Sequence, residues 1–218
     1  MQLTPYPNTI MQRKEGVRVD LAAALRDCPA TWSSRRKTRL KTRFLRTASA
    51  KEAIADFEHD TRIFGFTKGQ FSLIDLIEAT IEHTGPVHIS VSTWAAATAD
   101  TSDLLDLLHD DRLLSVRFLV DPSLFRRKPE VAKTIVANFG KESIRVANNH
   151  AKLFLASNDD WKVTCHTSMN LNRNDRFEDF NLEENHELFD FNHDLFDRIW
   201  NVRKELFKGR KEDWFNEF

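Results

Sequence analysis

The sequence predicts an α/β fold: a mixed β-sheet flanked by helices on both faces, preceded by a basic N-terminal extension. Two observations carry this reading. Between Gly65 and Gly140, runs with helical apolar spacing alternate with β-branched runs, the pattern of helices crossing over between neighbouring strands. After Gly140, strand-like runs follow in quick succession, which adds an antiparallel hairpin to a sheet that begins as parallel.

The elements are justified in chain order. Up to about residue 60, Pro5, Pro7 and Pro29 interrupt any regular pattern, and one helix, N-capped by Ser33 or Ser34, is expected in the basic segment. Phe71, Leu73, Ile74, Ile77 and Ile81 have helical spacing, and Gly85-Pro86 ends that helix. Val87 to Thr93 reads as a strand, Leu104, Leu105, Leu107 and Leu108 mark a second helix, and Val116 to Val120 is a second strand. Val131 to Phe139 is a third helix closed by Gly140. Ile144 to Val146, Lys152 to Leu155 and Trp161 to Cys165 read as strands, the last two joined by the Ser157-Asn158-Asp159-Asp160 turn. Phe180 to Leu182 is a final strand. Leu188, Phe189, Leu195, Phe196, Ile199, Trp200, Val202 and Leu206 form an amphipathic C-terminal helix, with Phe191-Asn192-His193 a candidate interruption. We divide the chain into an extension over 1–60 and a domain over 61–218.

With 218 residues, 41% of them hydrophobic and 30% charged, the chain is long enough for a substantial core. It has no apolar run of the roughly 18 residues that a membrane span needs, and no apolar block of a secretory signal, so a soluble cytoplasmic protein with no membrane partner is expected. Cys28 and Cys165 sit in no metal-ligand spacing and indicate no disulfide framework. Seventeen Phe against one Tyr point to aromatics used as core filler.

The net charge of -1 conceals an asymmetry: residues 1–50 carry +8 and residues 51–218 carry -9. The positive charge peaks at Arg35, Arg36, Lys37, Arg39, Lys41, Arg43 and Arg46. Such density attracts phosphate backbones, and these residues are candidate substrate contacts; a segment that folds against the acidic part of the same chain is the competing explanation.

No Gly-rich phosphate loop, Gly-x-Ser-x-Gly elbow or paired zinc-ligand motif is present. The informative stretch runs from Asn149 to Glu178. His150 and Lys152, two apart at the start of a strand, project to one face. Thr167-Ser168-Met169-Asn170 closes the following strand, and a polar loop from Asn172 to Arg176 leads to Glu178. A neutral imidazole can attack phosphorus, an ammonium and an amide can hold the nonbridging oxygens, a hydroxyl can add a donor, and a carboxylate can orient the imidazole through its other nitrogen. Thr93-Trp94 follows the strand that ends where α/β sheets form clefts, making Thr93 a candidate lining residue and Trp94 a candidate for packing. Asp175, Asp179, Glu183 and Glu184 compete with Glu178 for the carboxylate role; Glu178 is preferred because it ends the polar loop.

In order and spacing, His150-Ala151-Lys152, Thr167-Ser168-Met169-Asn170 and Glu178 resemble the phospholipase D superfamily, whose signature is His-x-Lys and an Asp, then Gly-Ser-x-Asn, then Glu. The text is most similar to phospholipase D-like proteins of phages and prophages. Two positions depart: the family's Asp beyond the Lys is Ser157, and the Gly before Ser168 is Thr167. The resemblance implies a metal-independent phosphodiesterase without cofactor, a phosphohistidine intermediate on His150, and supporting roles for Lys152, Ser168, Asn170 and Glu178. It also implies a site built from two His-x-Lys elements. This chain contains one, so a homodimer sharing its active site is expected, with nucleic acid, DNA foremost, as the substrate suggested by the basic segment. The alternative is a nucleic-acid-binding or assembly protein that keeps the fold and has lost turnover.

Overall fold

The structure is a computed structural model that describes residues 17–29, 31–43 and 47–201. Its strands are β1 (Val17–Arg18), β2 (Arg39–Arg43), β3 (Thr61–Thr67), β4 (Val87–Thr93), β5 (Leu113–Val120), β6 (Ile144–Val146), β7 (Leu153–Ser157), β8 (Lys162–Thr167) and β9 (Glu178–Glu184). Its α-helices are α1 (Leu21–Ala24), α2 (Ala50–Ala53), α3 (Leu73–Thr84), α4 (Thr98–His109), α5 (Ser123–Arg127), α6 (Pro129–Phe139) and α7 (His186–Trp200). The strands form one sheet in the order β1-β6-β5-β4-β7-β8-β9-β3-β2. Neighbours are parallel from β1 to β4, antiparallel from β4 through β7, β8 and β9 to β3, and parallel again between β3 and β2.

Local chemistry sets the helix boundaries. Ser72 caps α3 in a reciprocal capping box with Asp75, and Gly85 ends the helix at φ 80°, a conformation that costs a glycine nothing. Pro129 opens α6 where no backbone N–H is needed, and Asn185 caps α7 through the amides of Glu187 and Leu188. Apolar faces of α2, α3, α4 and α6 pack one side of the sheet around Ile63, Val91, Phe118, Phe154 and Phe180. On the other side, Phe189, Phe196 and Ile199 of α7, with Leu21 and Ala24 of α1, cover Leu119, Leu153 and Leu155. Helices thus flank a mixed sheet on both faces.

Three expectations need correction. The basic segment is a strand, not a helix: β2 pairs in parallel with β3, and its alternate side chains Arg39, Lys41 and Arg43 reach carboxylates or carbonyls of residues 53–59. Its ladder and its neutralised charges are both tertiary, which a local period cannot reveal. Second, the segment before residue 61 is built into the domain, supplying two edge strands and the core residues Ala50, Ala53, Ile54 and Phe57. Third, α7 runs unbroken through Phe191-Asn192-His193, with Asn192 donating to the Leu188 carbonyl. Pro5, Pro7, Arg46, Val202 and Leu206 lie outside the described residues.

Strand β3 escaped the sequence reading, although its residues alternate between buried and more exposed. Gly65 at its centre is required by close packing: a Cβ there would lie 2.6 Å from the Phe180 ring and 2.9 Å from the Arg43 Cβ.

Candidate active site

β3, β4, β5, β6 and β8 all end at one edge of the sheet, and β7 and β9 begin there. This edge is where ligands gather in α/β sheets. Register assembles it: Ser92 lies opposite Leu153, Leu153 opposite His166, Thr167 opposite Phe180, and Glu178 opposite Thr67. His150 and Lys152, just before β7, therefore meet the Thr167–Asn170 turn after β8 and Glu178 at the start of β9.

His150 is exposed and Lys152 half-buried, with the Lys152 Nζ 3.3 Å from the His150 Nδ1 and donating to its carbonyl at 3.1 Å. Burial disfavours the ammonium and lowers the Lys152 pKa, while the Glu178 charge opposes the shift. Ser168 donates its hydroxyl to Glu178 and accepts from the Asp179 amide at 2.9 Å. The Asn170 Oδ1 accepts from the Ala95 amide at 3.2 Å, which leaves its NH₂ group for other partners. Within one chain Glu178 holds Ser168, and its charge opposes the downward shift of Lys152.

A buried asparagine to which the sequence assigns no role, Asn149, fixes the His150 loop. Asn149 donates to the Ser92 Oγ at 2.9 Å and to the Leu119 carbonyl at 3.3 Å, its Oδ1 accepts from the Ala151 amide at 3.0 Å, and Ser92 in turn donates to the Ala151 carbonyl at 2.9 Å. Asn149→Leu leaves these buried groups unpaired, each at a cost of about 1–3 kcal/mol. We expect a melting point lowered by about 2–4 °C per kcal/mol, and a loss of activity larger than stability explains; calorimetry and kcat/KM on the same sample check this. The signal available beforehand was Asn149 itself, a polar residue immediately before the His-x-Lys element.

Thr93 is corrected from lining residue to brace. It is fully buried, donates to the Ala95 carbonyl at 2.7 Å and accepts from the Leu171 amide at 3.2 Å, so it secures the crossing that carries Asn170. Both departures from the resemblance are accommodated locally. Ser157 ends β7 opposite His88 and Lys162, about 17 Å along the chain from Lys152. The Thr167 hydroxyl donates to the Asp179 carbonyl and accepts from the Met169 amide at 3.0 Å, which shapes the turn.

The cations of the basic segment lie elsewhere. Arg39 stands opposite Thr61 whereas Glu178 stands opposite Thr67, a separation of about 20 Å along β3. Arg36 pairs with Asp60 and Glu184, Arg39 with Glu58, and both Lys41 and Arg43 with Asp56. Burial tends to raise the Asp56 carboxyl, but hydrogen bonds and charge from Lys41 and Arg43 prevail and hold it below its ordinary value. Arg35 and Lys37 are exposed, and the Arg35 amide donates to Glu187 at 2.9 Å. The competing explanation, a segment neutralised by acidic residues of the same chain, describes Arg36, Arg39, Lys41 and Arg43.

Three of the four rival carboxylates are separated by position. Glu183 and Glu184 sit at the far end of β9 beside Arg62 and His186, and Asp175 lies in the exposed loop before Phe177. Among the described residues no group of three or more His, Cys, Asp or Glu is placed to hold a metal ion, and no helix is long and apolar enough to cross a membrane.

No protein-family model matches the chain, and neither does any curated protein. Among solved structures, a polyphosphate kinase from Porphyromonas gingivalis is similar at a TM-score of 0.48 and 12% identity, over 64% of this chain and 26% of that one. The chain thus spans about a quarter of that protein's length.

Proposed function

We propose that the protein is a metal-independent phosphodiesterase of the phospholipase D-like type, a nuclease acting on DNA, with His150 as nucleophile. The observation that supports this reading is the convergence of an exposed imidazole, a half-buried ammonium, a free amide donor and a serine–glutamate pair at one sheet edge. His150 attacks phosphorus, the P–O bond to the leaving group breaks, and water then cleaves the phosphohistidine. Lys152 and the Asn170 amide hold the nonbridging oxygens as their charge grows, the place where fixed donors contribute most. The leaving oxygen needs a proton, and this chain has one His-x-Lys element. A twofold axis at this edge supplies the partner's His150 as the acid.

Plasmid nicking in EDTA tests the activity. Supercoiled DNA should be nicked at an undiminished rate when all divalent ions are chelated, and an inactive protein that still binds DNA would favour the assembly-protein alternative. Sedimentation should show a dimer at micromolar concentration; a strict monomer with full activity would contradict the shared site.

A further inference from the structure

Trp94 follows β4 at the same edge, with its ring centroid 5.6 Å from that of His150. Arg127, the last residue of α5, places its guanidinium carbon 5.0 Å from the centroid of the Trp94 ring. The two come together because β4 and β5 are parallel neighbours with Thr93 opposite Val120, so the segments leaving both strands run side by side. Trp94 therefore touches both the nucleophile and an exposed cation. The β2 cations face carboxylates; Arg127 faces a ring. A ring restricts the orientation of a guanidinium without consuming the N–H donors along its edge, which match a phosphate in geometry and charge.

We propose that Arg127, steadied by Trp94, binds a phosphate adjoining the scissile one, and that the substrate is therefore a polynucleotide chain rather than an isolated diester or a lipid headgroup. This rests on the phosphodiesterase reading. An isolated diester carries no second phosphate for Arg127 to hold, whereas a polynucleotide presents one on either side of the bond being cut. The contact to substrate phosphate moves accordingly from the N-terminal cations to the end of α5.

The test measures binding of a single-stranded oligonucleotide at several salt concentrations in a His150→Ala background, which removes turnover. Adding Arg127→Ala should weaken binding about tenfold and lower the slope of log affinity against log salt by about 0.7 per lost contact. Arg127→Lys should keep the slope, and Arg36→Ala with Arg39→Ala and Arg43→Ala should leave it unchanged. In the otherwise native protein, Arg127→Ala should raise KM for the oligonucleotide while hydrolysis of bis(p-nitrophenyl) phosphate stays the same. Intact small-diester hydrolysis with oligonucleotide binding indifferent to Arg127, or no binding at all, overturns the inference alone. Absent hydrolysis of every diester, with binding still dependent on Arg127, sinks the phosphodiesterase reading and leaves the phosphate contact standing.

Discussion

We expect His150→Ala to abolish turnover and to leave the fold intact. The side chain is exposed at the sheet edge, and its neighbours are Lys152 and the Trp94 ring rather than the core. Its removal therefore opens no cavity, and the loop it sits on is held by Asn149 and Ser92 beneath it. Both roles in the proposed reaction fall on this one residue, attack in one copy and proton donation in the other, so a homodimer of the variant loses both at once. Circular dichroism and melting temperature should match the unsubstituted protein while nicking falls to background. The proposed reaction needs one imidazole neutral and the other protonated, so the active protein should show a bell-shaped pH profile. A monotonic profile would separate the activity from this pair.

Lys152→Ala should cost roughly 100-fold or more in kcat, the usual loss when a fixed donor to a developing charge is removed. The position of this lysine suits the role. Its ammonium is half-buried between the His150 loop and Glu178, where charge acts with less screening than in water. The same burial has a signature in pH. Desolvation weakens the charged form more than Glu178 restores it, so the pKa lies below that of an ordinary lysine. The charge is present below that lowered pKa and is lost as pH rises through it. In the His150→Ala background, binding of an oligonucleotide should therefore weaken on the basic side earlier than an exposed lysine would allow. Lys152→Arg, whose guanidinium stays charged, should move that decline upward. An unchanged decline in that variant would remove Lys152 from the account.

Local punctuation made much of the fold legible. Gly85 and Gly140 stop helices, and β4 and β6 match their sequence spans because dense β-branched residues mark buried strands. Where elements depend on distant partners, sequence spacing misleads. In β2, which begins five residues beyond Ser34 in the text of a charged helix, each alternate side chain finds its counter-charge or carbonyl in residues 53–59, and only the completed sheet brings these together. β3 is obscured by Gly65, whose absence of a side chain makes room for the Phe180 ring.

The site divides along the same line. His150, Lys152, Ser168 and Glu178 are legible because their chemistry lies within thirty residues and in a recognisable order, a span of three strand ends at one edge. What supports them is not. Asn149 reaches Ser92 on β4, Asn170 reaches Ala95, and Arg127 reaches Trp94, in each case between segments that are neighbours only in space. Thr93 shows the converse: the end of β4 was the right place, but its hydroxyl is consumed in bracing the Leu171 crossing.

The central claim is that the His150 imidazole attacks phosphorus. Rapid quenching of a reaction with a diester labelled at phosphorus, held at neutral or basic pH to preserve an N–P bond, reads it directly. The account predicts a protein-bound label that is stable in base, released by acid, mapped to His150 and missing from His150→Ala. Full turnover with no label on the protein, or full turnover in His150→Ala, would contradict it.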